Sequence, residues 1–224
     1  MTISIPPATD IHQGFTFEGR IGRLYIRRVT SDAPIRRYAK GDAKRREILE
    51  AALRVIAERG YRNSSLQEIA DAVGLTKAGV LHYFDSREDL LKEVLRERDA
   101  ADAAHLLPPG GDSLSLLTAT VQYNQTVPGL VQLYSRLVVE SEAAEHPGHA
   151  YIGERYADIV ANLADAVRQR QGAGEVRGDI DPEAAARLLV AMSDGLQLQW
   201  MHDPGVDMSA AFGTMLSLLA TPGS

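Results

Sequence analysis

The chain contains no cysteine in 224 residues. That excludes disulfides, thiol catalysis and cysteine-ligated zinc, and it suits a reducing compartment. Long hydrophobic runs are missing as well. No stretch approaches the roughly eighteen apolar residues needed to cross a bilayer, and the opening MTISIPPATD lacks the basic and apolar regions of a signal peptide. The expectation is a soluble, cytoplasmic protein with no membrane partner. Catalytic signatures are absent too: there is no G-x-S-x-G, no G-x-G-x-x-G, no P-loop and no H-E-x-x-H. The six histidines, His12, His82, His105, His146, His149 and His202, are scattered, and the HPGH segment holding His146 and His149 reads as a solvated turn before a metal site. The sequence therefore predicts no catalytic residues, no metal and no cofactor.

What is present is an uneven distribution of charge. The formal charge of −6 divides into +4 over residues 1–98 and −10 over residues 99–224. A basic first part can approach phosphates and an acidic second part repels them, so DNA should be met by one end only. Residues 1–38 show no sustained period, carry Pro6, Pro7 and Pro34, and read as a flexible basic extension with Arg27, Arg28, Arg36 and Arg37, followed by Lys40. Such an arm is either a solvated charge run or a DNA-reaching segment, and the solvated reading is preferred.

From Asp42 the pattern turns helical. Ile48, Ala51, Ala52, Val55 and Ile56 recur at helical spacing, with Asp42 as the expected cap and Gly60 as the stop. Ser65 and Glu68 make an S-x-x-E capping box for a short second helix carrying Leu66, Ile69, Ala70 and Val73 up to Gly74. Thr76 can cap a third, Lys77 to Phe84, expected to bury Val80, Leu81 and Phe84 and to leave Lys77, Ala78, Gly79 and His82 outside. A short protruding helix of this kind fits the DNA major groove: Lys77 can donate to guanine, and small residues at Ala78 and Gly79 permit close approach. Tyr83 and Arg87 flank it as expected phosphate contacts, and Ser65 is expected to meet a phosphate through its hydroxyl and the N–H groups beside it.

The run REILEAALRVIAERGYRNSSLQEIADAVGLTKAGVLHYFDSREDLL resembles the DNA-binding domain of TetR-family transcriptional regulators, whose pattern is T-x-x-x-I-A-x-x-A-G-V-S-x-G-x-x-Y-x-x-F with a basic residue three positions on. Ser65 stands at the family's capping threonine, Thr76 at its serine, Phe84 at its aromatic and Arg87 at its lysine. Val73 and Leu81 depart from it, Leu81 replacing a tyrosine that commonly touches phosphate. The resemblance implies base-reading positions at Gln67, Lys77, Ala78, Gly79 and His82.

The remaining periodicity predicts an all-α chain of about nine helices: a three-helix DNA-binding domain over 39–88, then a helical effector-binding and dimerisation domain over 89–224. Its helices are expected at Asp89 to about His105, Ser113–Gln125, Gly129–Glu142, His149–Gln171, Pro182–His202 and Met208–Leu219. Leu188, Leu189, Met192 and Leu196, with Phe212, Met215, Leu216 and Leu219, offer apolar surface for a homodimer or for the monomer core. Gln122, Tyr123, Tyr134, Tyr156, Gln197 and Trp200 are candidate effector contacts, the amphipathic mixture expected around a small molecule, though each also suits plain core packing. Together these features predict a homodimeric TetR-like repressor released from a palindromic operator by a small molecule. Two alternatives remain: a regulator of the same fold without a small-molecule ligand, and a helical enzyme or binding module.

Overall fold

The computed structural model describes residues 35–221; of the flexible extension expected over 1–38, residues 1–34 lie outside the described residues and residues 35–38 are helical. Helix α1 covers Ile35–Arg59. The expected start at Asp42 is therefore corrected, because Asp42 is an interior position. The residues around it, Ala39, Lys40, Ala43, Lys44 and Arg45, are good helix formers, and the single Gly41 costs a helix only about 1 kcal/mol. At the other end Gly60 has a φ of 80°, a left-handed value that L side chains rarely adopt. One 3-10 turn, Tyr61–Asn63, then leads to α2, Leu66–Ala72.

Both halves of the capping box are formed at α2: Glu68 N donates to Ser65 Oγ at 3.2 Å, and Ser65 N donates to Glu68 Oε2 at 2.7 Å. Gly74, with φ 65°, makes the turn into α3, Lys77–Val80, whose first turn is capped by Thr76 Oγ1 accepting from Gly79 N at 3.1 Å. The regular helix is shorter than the sequence suggests. Its backbone bonds run on as Leu81 N to Lys77 O and His82 N to Ala78 O, both 3.0 Å, before the chain tightens at Tyr83. Helix α4, Arg87–Leu106, starts on the Ser86 cap and ends before the PPGG segment.

Helices α5 (Ser113–Asn124), α6 (Pro128–Glu140), α7 (His149–Gly172), α8 (Pro182–His202) and α9 (Met208–Leu219) follow. Among the described residues there are nine α-helices and no strand, only an isolated bridge between Val176 and Ala220. Among the described residues no helix is long and apolar enough to cross a membrane.

Two main apolar cores organise these helices. The first joins Ile48, Ala52 and Ile56 of α1, Ile69 of α2, Val80 and Phe84, and Leu90, Leu91 and Val94 of α4, and it also takes in Val127, Leu130 and Leu133 around α6. The second fills the space between α5, α7, α8 and α9 with Leu163, Val167, Leu189, Leu196, Trp200, Met208 and Phe212. Helix α6 meets the end of α1 at backbone distance: a Cβ added to the buried Gly129 would lie 2.0 Å from Ile56 O and 3.0 Å from Gly60 Cα. One turn and three residues further on, Arg136 of α6 stacks on the Tyr61 ring at 5.4 Å, and Arg87 stacks on the same ring at 5.3 Å.

Much of the apolar surface considered for a dimer closes the monomer instead. Leu189, Leu196, Phe212 and Leu219 are buried in the second core, and Met192, Met215 and Leu216 pack against it. Leu188 is exposed. It continues a line with Ala184, Ala191 and Leu198 along α8, all exposed and spaced four, three and seven residues apart.

Candidate DNA-binding surface and interior polar site

Helix α3 is held from behind. Val80 and Phe84 are fully buried in the first core, and Arg45 of α1 stacks on the Phe84 ring at 4.8 Å while pairing with Glu93 of α4 at 3.0 Å. Lys44 of α1 donates to Val73 O at 2.9 Å, which places a cation at the carbonyl end of α2. The angle between α2 and α3 is thus fixed by packing on one side and by α1 and α4 on the other.

Outward from this support stand Lys77, Ala78 and His82, all exposed as expected from the sequence. Three expectations change. Leu81 is not buried with Val80 and Phe84 but is 42% exposed, because it lies a quarter-turn from Val80 on the Lys77 side of the helix. Gly79 is half-buried, facing the turn: a Cβ there would sit 3.4 Å from both Leu75 Cβ and Thr76 Oγ1. And at Ser65 the N–H groups of Ser65 and Glu68 are taken by the capping box, so they do not await a phosphate. The backbone and side-chain bonds from Ser65 hold the Glu68 carboxyl below its usual range, keeping a negative charge beside that hydroxyl.

The other candidates are placed as follows. Gln67 is exposed on α2, and its amide donates to Asp71 Oδ1 at 2.6 Å, one turn along the same helix. Tyr83 is half-buried against the first core, with its ring edge-on to His82 at 5.5 Å. Arg87 is half-buried and reaches Tyr61 OH at 3.5 Å, so its guanidinium is tethered at the base of α4. Thr76 is exposed and spends its hydroxyl oxygen on the cap.

In the second half of the chain, Tyr134 of α6 and Tyr156 of α7 both donate to Asp194 of α8, at 2.9 and 2.7 Å, and their hydroxyl oxygens approach to 3.0 Å. Each hydroxyl has one proton, so two protons serve three close contacts, and the group can accept a further donor. Burial, reinforced by Asp194, pushes Tyr156 up to about 12, and burial raises Tyr134 well above its ordinary value; both remain donors at neutral pH. Arg155 stacks on the Tyr134 ring at 4.8 Å and grips Asp99 of α4 through two bonds of 2.6 and 2.9 Å, and Tyr151 donates to the same carboxylate at 2.8 Å.

Next to them lies the buried Arg98. It hydrogen-bonds Asn124, and its Nε is 3.3 Å from Asp102 Oδ2 but off the line a hydrogen bond needs, an ion pair by proximity alone. Burial pushes the Asp102 carboxyl up, against the opposing pull of Arg98. Asp102 thus meets Arg98 and Asp99 meets Arg155, Arg96 stacks on the Tyr151 ring at 4.8 Å, and Asp194 is bonded by the two tyrosine hydroxyls with no ion pair among the described residues.

Of the sequence candidates, this network takes up Tyr134 and Tyr156. Gln197 and Trp200 are buried on α8 in and beside the second core, where Gln197 Nε2 bonds Ser193 O at 3.3 Å. Tyr123 is half-buried against the first core. Gln122 is exposed on α5, which corrects its expected interior position. Asp99, Tyr151, Arg155 and Asp194 were not anticipated. The signal was Asp194 itself, a lone acid inside the apolar run LLVAMSDGLQLQW.

Comparison with known proteins completes the identification. Residues 48–94 match the family described as "Bacterial regulatory proteins, tetR family", and residues 115–220 match "BetI-type transcriptional repressor, C-terminal". The HTH-type transcriptional repressor BepR of Brucella suis is 26% identical over 205 residues, covering 83% of this chain and 96% of its own. The HTH-type transcriptional repressor Rv1474c of Mycobacterium tuberculosis is 27% identical over 157 residues, 69% and 80% of the two chains. Among solved structures, a regulator from Saccharomonospora viridis in complex with choline has a TM-score of 0.58 at 28% identity, with 80% of this chain and 94% of that one covered. The two matched regions, one over the capped α2–α3 unit and one over the helices that follow, make this chain a member of the TetR family, a helix-turn-helix DNA-binding transcriptional regulator.

Proposed function

We propose that the protein is a homodimeric repressor that reads a palindromic operator with α3 and is released when a small molecule bearing a cationic or hydrogen-bond-donating head enters the region of Tyr134, Tyr156 and Asp194. The observation that carries the DNA half is the outward line on α3, with Lys77, Ala78 and His82 exposed while Val80 and Phe84 anchor the opposite side. Lys77 is the base reader, Ala78 permits close approach, and His82, Tyr83, Thr76 and the Ser65 hydroxyl serve the flanking contacts. Gln67 and Arg87 contribute after exchanging Asp71 and Tyr61 for DNA. Gly79 acts by letting α3 lie against its turn. The dimer is supported by the unburied line Ala184, Leu188, Ala191 and Leu198 on α8, beside exposed small residues Ala210, Gly213, Thr214 and Ser217 and the exposed Leu218 on α9.

The effector half rests on charge and proton count. Asp194, a carboxylate with no ion pair among the described residues, and one proton too few both favour a ligand that brings positive charge or a donor. The Saccharomonospora viridis regulator, in complex with choline, is a relative holding a small organic cation. Division into a DNA-reading part and an effector part follows the two apolar cores, with α6 shared between them.

Selection from a random duplex pool by the purified full-length chain tests the DNA half. An inverted repeat should emerge, with half-sites about one helical turn apart or somewhat more. Lys77→Ala should relax preference at one symmetric pair of positions, weakening the preferred site by about 1–3 kcal/mol. If the variant keeps the wild-type preference, Lys77 is not the reader. For the effector half, a panel of small organic cations and size-matched anions is tested for operator release. Release by anions alone would sink the cationic assignment.

A further inference from the structure

Leu81 is left unexplained by both the core and the phosphate contacts. It is one of six large apolar side chains that stay exposed among the described residues, and it is the one at the C-terminal end of α3. Its N–H bonds Lys77 O at 3.0 Å, so it stands one helical turn after Lys77, and His82 stands one turn after Ala78 in the same way. Lys77, Ala78, Leu81 and His82 therefore form a single outward strip, opposite Val80 and Phe84. An isobutyl group cannot bond a phosphate, which is the contact that a tyrosine at this position commonly makes in the family pattern. It can only gain by removing apolar surface from water.

In the major groove, thymine alone of the four bases presents a methyl group, at C5. We propose that Leu81 is a specificity-determining residue that packs on a thymine C5-methyl, one recognition-helix turn from the base pair met by Lys77. The assignment rests on α3 being the DNA-reading element, as proposed above. Two consequences follow from the chemistry. Each half-site must carry a thymine at a fixed offset from the pair read by Lys77. The operator also loses one phosphate contact per half-site, so base identity weighs more against backbone charge at this position.

The test uses the full-length chain and the operator recovered by selection. Each thymine is replaced singly by deoxyuridine, which keeps its pairing and loses only the methyl. One thymine per half-site should prove sensitive, its loss weakening wild-type binding about fourfold, the worth of one buried methyl-sized group, and about fifteenfold when both half-sites are changed. The Leu81→Ala variant should bind the thymine and deoxyuridine operators alike. Insensitivity of the wild type at every thymine would overturn the assignment, as would an equal loss in Leu81→Ala, since the methyl would then be read by another group. Lys77→Ala in the same panel separates the two levels. A changed base preference there with no deoxyuridine effect removes Leu81 alone, whereas failure of any operator to emerge removes the DNA-reading surface and Leu81 together. Because each comparison sets two operators against one and the same protein, a folding defect in a variant lowers both affinities alike and leaves their ratio unchanged.

Discussion

Substituting Gly129 by alanine tests how α6 is seated against the end of α1. The added Cβ would lie 2.0 Å from Ile56 O, about 1.4 Å short of the 3.4 Å at which such contacts become ordinary. The obstructing atom cannot step aside as a flexible side chain would, because Ile56 O accepts the Gly60 N–H at 3.0 Å and so belongs to the closing turn of α1. Either the start of α6 withdraws by roughly that distance, opening the layer formed by Val127, Leu130 and Leu133, or the end of α1 distorts. Overpacking of this kind costs about 1–3 kcal/mol. A urea titration followed by helical circular dichroism should show the loss as a lower midpoint at unchanged slope, and operator affinity should fall as well, because the displaced end of α1 leads directly through Tyr61 into α2. Gly153→Ala is the matched control. Gly153 is exposed on α7 with nothing within 4 Å of its added Cβ, so the same substitution there should stabilise by up to about 1 kcal/mol through helix propensity. If Gly129→Ala is as stable as the wild type and binds operator unchanged, the two backbones do not meet as described.

Desolvation pushes the Asp112 carboxyl up, but the hydrogen bonds from Arg170 and Ser115 outweigh it and hold it at about 2. Since the folded value lies below the unfolded 3.8, the stabilisation is present above pH 3.8 and is lost as pH falls toward 2. Asp112→Asn should therefore be less stable at neutral pH, by about 1 kcal/mol after allowing for solvent screening, with the gap closing in acid; parallel pH profiles for the two chains would refute this. Tyr134→Phe removes a donor to Asp194 and should lower stability by about 1–2 kcal/mol in urea unfolding. Leu188→Glu places charge on the exposed line of α8 and should shift sedimentation toward the monomer and weaken operator binding; an undisturbed dimer would place the interface elsewhere.

The helices of this protein were legible in the sequence wherever a cap or stop is chemical. Ser65 with Glu68, Thr76 and Gly60 all mark ends that the structure keeps. The start of α1 was not legible in the same way, since Asp42 has the right chemistry for a cap but is surrounded by residues that simply continue the helix. The outward position of Leu81 is not legible from its apolar character, because α3 and the turn after it have only one buried side, and Val80 and Phe84 already fill it. Within the second half, aromatic residues were visible as candidates one at a time. Their assembly was hidden, because Asp99, Tyr134, Arg155 and Asp194 come from four different helices, and no spacing along the chain encodes which of them meet.

The sharing of α6 between the two cores bears on how such a regulator can be recombined. A cut in the PPGG segment after α4, where the chain looks divisible, would carry α1 to α4 away from Val127, Leu130 and Leu133 and leave one wall of their core open to water. The transplantable unit is discontinuous: α1 to α4 together with the stretch from Val127 to Arg136. A chimera that joined these reading helices to a foreign sensing half would need this stretch grafted into the new host, and its affinity for operator would then depend on how that host holds one borrowed helix.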